Sequence, residues 1–378
     1  MRVLPQDLPA PFATPSSSNA PSPELRAEGV LPAVPPGFKV SIFADGLGDA
    51  RKLLIAPDGN VLLAESDAGR ITLLKDPTGS GHATRTTLAY GFDTPFGMAF
   101  HDDRLYVADL NGVWRLNYDP AAKPKKQQEA TLITPEDAFG GSGGHRTRSL
   151  VFSPDGKHFY VGIGSLGNID EEAAPRATIQ EFAADGSHQR TFASGTRNPI
   201  GLAFHPSTGL LYATVNERDG LGDGLVPDYF THIQDGAFYG WPYAYIGQHV
   251  QPNLGESRPD MVAQAVVPDV LIRPHSAPID FAFYTATQFP ETWRGSAFVA
   301  LHGSWNAYTP AGYSVVSIPF AGGKPTGAYT VFMSGFQTGG PGLSRAYGRP
   351  AGVAVAPDGS LLVTDDFEGI IWRVRYER

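Results

Sequence analysis

The chain has 378 residues, 42% of them hydrophobic, and a formal net charge of −9. That length can bury a large core, and the acidic balance argues against nucleic acid as a general partner, because phosphate binding needs a basic surface. The absence of cysteine excludes disulfides, thiolate catalysis and Cys-ligated zinc or iron–sulfur sites. No run of 18 apolar residues occurs, so no membrane-spanning helix is expected.

Residues 1–36 are rich in Pro, Ser and Ala and too poor in apolar surface to offset the entropy of ordering. They are expected to form a linker or a tail lying along the surface. The segment lacks the apolar core of a secretory signal. This leaves a cytoplasmic protein or one numbered after a removed leader. Regular structure is predicted from Gly37, where "FKVSIFA" (Phe38 to Ala44) alternates like a half-buried strand.

From there a unit recurs six times, at Arg51, Pro95, Thr147, Pro199, Pro278 and Pro350. Each is a short apolar strand, a turn rich in Pro, Asp, Gly or Asn, and a second apolar strand. Such turn residues supply the backbone angles of a hairpin. A third strand follows most units, as in "GRITLLK", "GVWRLNY" and "GIIWRVRY". Helical periodicity is nearly absent. Six like units at this spacing predict an all-β fold, a six-bladed β-propeller of four-stranded antiparallel blades filling 37–378, with a pair of β-sandwiches as the alternative. "IIWRVRY" must then close against the first strand, and "FKVSIFA" is the expected partner.

In a propeller the residues preceding each inner strand gather on one rim. That places Arg51, Pro95, Phe96, His145, Arg146, Arg148, Arg197, Asn198, Pro278 and Arg349 near one channel mouth. Alternation keeps some from facing inward. Several arginines converging on an acidic protein predict a pocket for a compact polyanion, since guanidinium groups bind carboxylate and phosphate bidentately; pairing with carboxylates of neighbouring blades is the alternative for any one of them. After the fourth unit, Glu217, Asp219, Asp223, Asp228 and Asp235 lie in a Gly-rich stretch of the kind calcium favours, or form a solvated acidic loop. "YGWPY" (Tyr239 to Tyr243) offers rigid aromatics for stacking on a sugar or for the core. His302, in "FVALHGSWNA", ends a strand at the same rim. In "GGHRTR" the glycines are expected to let the backbone approach a ligand closely.

"SGTRNPIGLAFHP", "LLYATVNERDGLGD" and "YGWPY", with "GGHRTRSLVFSPDGKHFYVGIGS", "HGSWN" and "GRPAGVAVAPDG", resemble the soluble pyrroloquinoline-quinone-dependent sugar dehydrogenases. The likeness is strongest to their sorbosone and pyranose dehydrogenase branch and runs through 37–378. It implies a quinone with three carboxylates across the channel mouth, a bound Ca2+, a small sugar oxidised at its anomeric carbon, and electrons leaving to an external acceptor, a small redox molecule or a cytochrome. A periplasmic or secreted location is expected, since the lack of cysteine suits an oxidising compartment. By position the resemblance makes His145 the catalytic base, with His302 as a rival or a cofactor contact. Arg197 serves both catalysis and cofactor binding. The resemblance adds Asn198 and Arg349 as cofactor contacts and makes Glu217, Arg218 and Asp219 supply calcium ligands, partly through backbone carbonyls; Arg51 and Arg148 join the cofactor contacts by their place on the rim. Ser165 stands where the glucose-specific branch has an aspartate, Ala351 where it has a second arginine, and His302 near a lysine. Two rivals stay open: a calcium-dependent lactonase on a similar propeller, and a binding propeller without chemistry.

Overall fold

The computed structural model describes residues 1–76 and 81–377. Six four-stranded antiparallel sheets stand around a central channel, the second strand of each sheet following the first through a tight turn. Blades 1 to 6 have inner strands Ala50–Ile55, Met98–His101, Val151–Phe152, Asn198–Phe204, Pro278–Phe283 and Pro350–Val355. Among the described residues there is one α-helix, Pro259–Gln264. Blade 1 carries a fifth short strand, Lys125–Lys126, paired parallel to its edge.

The ring closes as the sequence predicts. Phe38–Ala44 pairs antiparallel with Ile370–Tyr376, Phe38 facing Tyr376 and Ile42 facing Trp372. The outer strand of blade 6 thus comes from the start of the chain and its other three strands from the end.

Inner strands pack backbone to backbone around the channel. Gly352 shows why the repeats put glycine there: a Cβ at this position would lie 2.2 Å from the Arg51 carbonyl oxygen of the next blade. Below the rim, Asp280 of blade 5 accepts from Lys52 Nζ of blade 1 at 2.5 Å and from the Val353 amide of blade 6 at 3.0 Å, tying three blades across the channel. Phe96, Ile200, Ile279 and Ala351, from four different blades, form a buried apolar cluster there.

Buried carboxylates fasten hairpins from within. Asp109 accepts from the amides of Asn111 and Gly112 and from the Trp114 indole through one oxygen, and from Asp93 N and Gln127 Nε2 through the other. Asp365 takes the amides of Arg349, Phe367 and Glu368 and the Trp372 indole. The "D-x-x-G-x-W" wording of blade 2 has this structural cause.

Residues 1–36 lie along the propeller, held by backbone pairing at Ser22–Pro23 with Arg345–Ala346 and at Ala33 with Ser334. Few apolar side chains anchor this segment. Hydrogen bonds to loops on the rim do most of the holding, which composition does not reveal.

Candidate active site

The first and second strands slip register near the upper ends of blades 1, 4, 5 and 6. Such bulges re-aim side chains locally. They turn the upper ends of these strands around a cavity of about 350 Å3 at the channel mouth. Ile200 and Ile279 of the apolar cluster form its floor. Arg51, His145, Arg197, Asn198, Glu217, Asp219, His302 and Arg349, eight of the ten residues singled out from the sequence, line it.

Arg148 and Arg218 do not. Their neighbours Thr147, Glu217 and Asp219 face the cavity, and side-chain alternation sends both arginines the other way. Arg148 is fully buried and donates to the carbonyls of Gly141, His145 and Thr147, bracing the loop that carries His145. Burial, with Arg176 adding, pushes its guanidinium down to about 9. Arg218 is also fully buried and bonds Glu217 Oε2, Gln251 and the carbonyls of Pro242 and Ala244. Its side chain cannot serve a metal.

His145 is held through Nδ1, which lies 2.9 Å from the Ser165 carbonyl oxygen and 3.2 Å from the Ser165 hydroxyl. That hydroxyl donates to Gly167 O at 2.6 Å, so it accepts from the ring. The backbone carbonyl does the orienting where an aspartate was expected. Nδ1 therefore carries the proton and Nε2 keeps its lone pair. Burial, reinforced by Arg197, pushes the ring down to about 4, so it is neutral at pH 7. Of the glycines beside it, Gly144 is pressed against Ser165 and Leu166.

His302 is held differently. Its Nε2 lies 2.7 Å from Asp366 Oδ2, and Arg51 Nη1 lies 2.5 Å from the same oxygen. Burial penalises the Asp366 charge, but His302 and Arg51 outweigh it and hold the carboxyl well below its ordinary value. With Nε2–H committed to that carboxylate, His302 keeps its lone pair on Nδ1, and burial pushes its ring down to about 4 as it does that of His145. Arg349 donates from Nε to His302 O and from Nη2 to Gly303 O, fixing the loop that presents His302.

Opposite these cations lies an oxygen-rich wall from blade 4. Asn198 pairs with Asn216 across the first two strands. The side-chain oxygens Asn198 Oδ1, Asn216 Oδ1 and Glu217 Oε1 are buried without a hydrogen-bond partner. Asp219 accepts from Asn306 Nδ2 at 2.6 Å and lies 3.4 Å from His275 Nδ1. Arg197 reaches Glu217 O at 2.7 Å and comes within 3.6 Å of Asp219. Of the other acids in that stretch, Asp228 faces the cavity, whereas Asp223 holds Ser17 and Asp235 pairs with Arg190.

Among the described residues no group of three or more His, Asp or Glu side chains is arranged to hold a metal alone. Three orphaned acceptor oxygens nevertheless suit a hard cation, which takes six to eight oxygens and would need the remainder from a bound ligand or water. The facing arginines suit that ligand's carboxylates. The residues present thus fit a carboxylate-bearing cofactor bound together with Ca2+.

Four polar or aromatic lining residues, Asn216, His275, Trp305 and Asn306, escaped the sequence reading. Trp305 is the aromatic at the mouth, 52% exposed, whereas Trp241 is buried and donates to Asn168 O. Asn306 follows it on the same loop. His275 lies between the fourth strand of blade 4 and the inner strand of blade 5, and its place just before "APID" in the repeat is the signal that would have found it.

A family model described as TrAA12-like matches residues 32–226 and 233–377. A protein of Borreliella burgdorferi without an assigned function is 27% identical over 91% of both chains. The pyrroloquinoline quinone-dependent pyranose dehydrogenase of Coprinopsis cinerea is 26% identical over 90% of this chain and 54% of its own length, so this chain spans about half of that relative. The solved holo form of its PQQ domain superposes with a TM-score of 0.75 at 24% identity, over 95% of this chain and 100% of that one. The calcium structure of a Trichoderma reesei enzyme of family AA12 gives 0.74 at 19%, over 93% and 99%. Both structural likenesses speak for the six-bladed fold. With the match running from the closing strand through the last blade, the chain belongs to the TrAA12-like family.

Proposed function

We propose that the protein is a quinoprotein oxidoreductase that oxidises an aldose or related sugar at its anomeric carbon, using pyrroloquinoline quinone and Ca2+, and passes electrons to an external acceptor. One observation carries this reading: a neutral histidine with a free Nε2 stands in a cavity between arginines and unpartnered oxygens. The named cofactor of the Coprinopsis relative and the calcium of the Trichoderma structure agree with it.

Arg51, Arg197 and Arg349 would hold the cofactor's carboxylates, and Asn198, Asn216, Glu217 and Asp219 would face the cation. When bound, the quinone supplies a hydride acceptor and the cation polarises its carbonyl. His145 Nε2 takes the proton from the sugar's anomeric hydroxyl as the C–H bond gives up its hydride. The Ser165 carbonyl accepts Nδ1–H throughout and stabilises the imidazolium that forms. Arg51 and Arg349 offset negative charge developing nearby. Ile200 and Ile279 close the floor to water.

The test is reconstitution. Protein given quinone and Ca2+ should reduce a dye with at least one member of an aldose panel. No turnover with any sugar, together with no quinone binding, overturns the reading.

A further inference from the structure

A second cavity of about 190 Å3 adjoins the first, and Asp219, His275, Trp305 and Asn306 border both. Its remaining wall comes from Ser16, Ser17, Asn168 and Gly220. Ser16 and Ser17 belong to the N-terminal segment, outside the residues that match the family. Two residues of this wall thus come from before the family match and two, Asn168 and Gly220, from within it.

The wall is firmly built. On one side Phe12 N donates to Leu221 O at 2.8 Å, Gly222 N to Ser16 Oγ at 3.0 Å, and Ser17 N and Oγ each reach an Asp223 oxygen at 3.0 Å. On the other, Asn19 N donates to Trp305 O at 2.8 Å, and Asn19 Nδ2 to the carbonyls of Ala307 and Tyr308. Asp223 also accepts from Tyr308 N at 2.6 Å, so strap, acidic loop and Trp305 loop lock together. The strap fixes the backbone of Trp305 while its indole stays exposed at the junction of the two cavities.

We propose that the strap and Trp305 form a subsite for a second sugar ring, so that the preferred substrate is a di- or oligosaccharide with its reducing end at His145. The inference rests on the function proposed above. An exposed indole offers a stacking face for a pyranose ring. Asn306 Nδ2 and Asn168 Nδ2 donate to Asp219, which leaves Asp219 Oδ2 and Asn306 Oδ1 as acceptors for a sugar's hydroxyls. The reacting ring occupies the larger cavity, and the adjoining cavity under residues 16–17 takes the second ring.

Two measurements test it. Reconstituted protein is assayed with glucose, maltose, cellobiose and maltotriose. In wild type the kcat/KM of at least one longer sugar should exceed that of glucose tenfold. Ser16→Tyr, which narrows the second cavity, should erase that advantage through KM and change glucose less than twofold. In parallel, protein without cofactor is titrated with maltotriose and cellobiose by tryptophan fluorescence. Quenching should saturate in wild type and weaken at least tenfold in Ser16→Tyr and Trp305→Ala, with unchanged thermal midpoints. Glucose oxidised with no preference for longer sugars, or Ser16→Tyr affecting all sugars alike, overturns the subsite. Failure of every sugar to reduce dye, with saccharide quenching still lost in Ser16→Tyr, overturns the function and supports the subsite as a saccharide site.

Discussion

The His145 ring donates from Nδ1 to the backbone carbonyl of Ser165 at 2.9 Å, and the His145 amide donates to that same oxygen at 3.0 Å. One atom thus sets both the chain and the side chain of the base. Replacing His145 with Ala should lower kcat by about 10²–10⁴. Quinone affinity, read by fluorescence titration, should fall far less. Because the ring is pushed down to about 4, and only the neutral form accepts a proton, kcat/KM should hold level from pH 7 downward and drop below about pH 4. An inflection near 6.5 would contradict this.

Gly144 precedes the base with φ +67, and a Cβ there would lie 2.3 Å from Leu166 Cα and 2.4 Å from the Ser165 carbonyl oxygen. Gly144→Ala must therefore push the loop away from the atom that orients His145. Turnover should fall at least tenfold although every cavity-lining side chain is retained. Pre-steady-state reduction of the bound quinone would isolate the loss in the chemical step.

Arg349 braces the His302 loop with Nε and Nη2 and faces the cavity. Lysine keeps the charge but loses the planar fork. Arg349→Lys should weaken quinone binding about 10- to 100-fold, from a charge-assisted contact of about 1.5–3 kcal/mol. Equilibrium titration of the apo protein measures it.

Asp109 fastens blade 2 through five donors and does not line the cavity. Asp109→Ala leaves those donors buried without a partner, which should cost about 2–4 kcal/mol of stability. Denaturant unfolding reads the loss. Quinone affinity should be unchanged in the protein that remains folded.

Asp365 titrates in the opposite sense to His145. Burial pushes its carboxyl up to about 7. The folded protein keeps that proton after the unfolded chain has lost it near 3.8, so stability falls as pH rises from about 4 to about 7. His145, held at about 4 against 6.5 unfolded, makes stability rise between about 4 and 6.5. Asp365→Asn removes the first effect. The thermal midpoint of the variant should climb more steeply with pH across this window than that of wild type.

The propeller was legible because six hairpins repeat a turn vocabulary and because Phe38–Ala44 alternates like a strand in need of a partner. The candidate site was legible where a residue begins or immediately precedes an inner strand, as with Arg51, Arg197 and Arg349. The side chains of Arg148 and Arg218 were harder to place, because adjacent residues point to opposite sides and their neighbours Thr147, Glu217 and Asp219 take the cavity side. Trp241 was weighed for sugar stacking and Trp305 was not, since an aromatic in a glycine-containing loop reads alike whether it ends in the core or at a mouth. The docked N-terminal segment was least legible, because polar contacts to distant loops leave no periodic trace.

The pairing of Phe38–Ala44 with Ile370–Tyr376 sets a timetable for assembly. The first strand to be made must wait for almost the last, a separation of more than 300 residues whose closure costs entropy before any contact repays it. Blade 6 brings Arg349 and Asp366 against Arg51 of blade 1 across the seam beside that closure. A ring that has not shut therefore lacks the cation wall of its own cavity. On the function proposed above, a chain that stops before blade 6 would carry His145 without Arg349 and Asp366 and should bind the cofactor weakly.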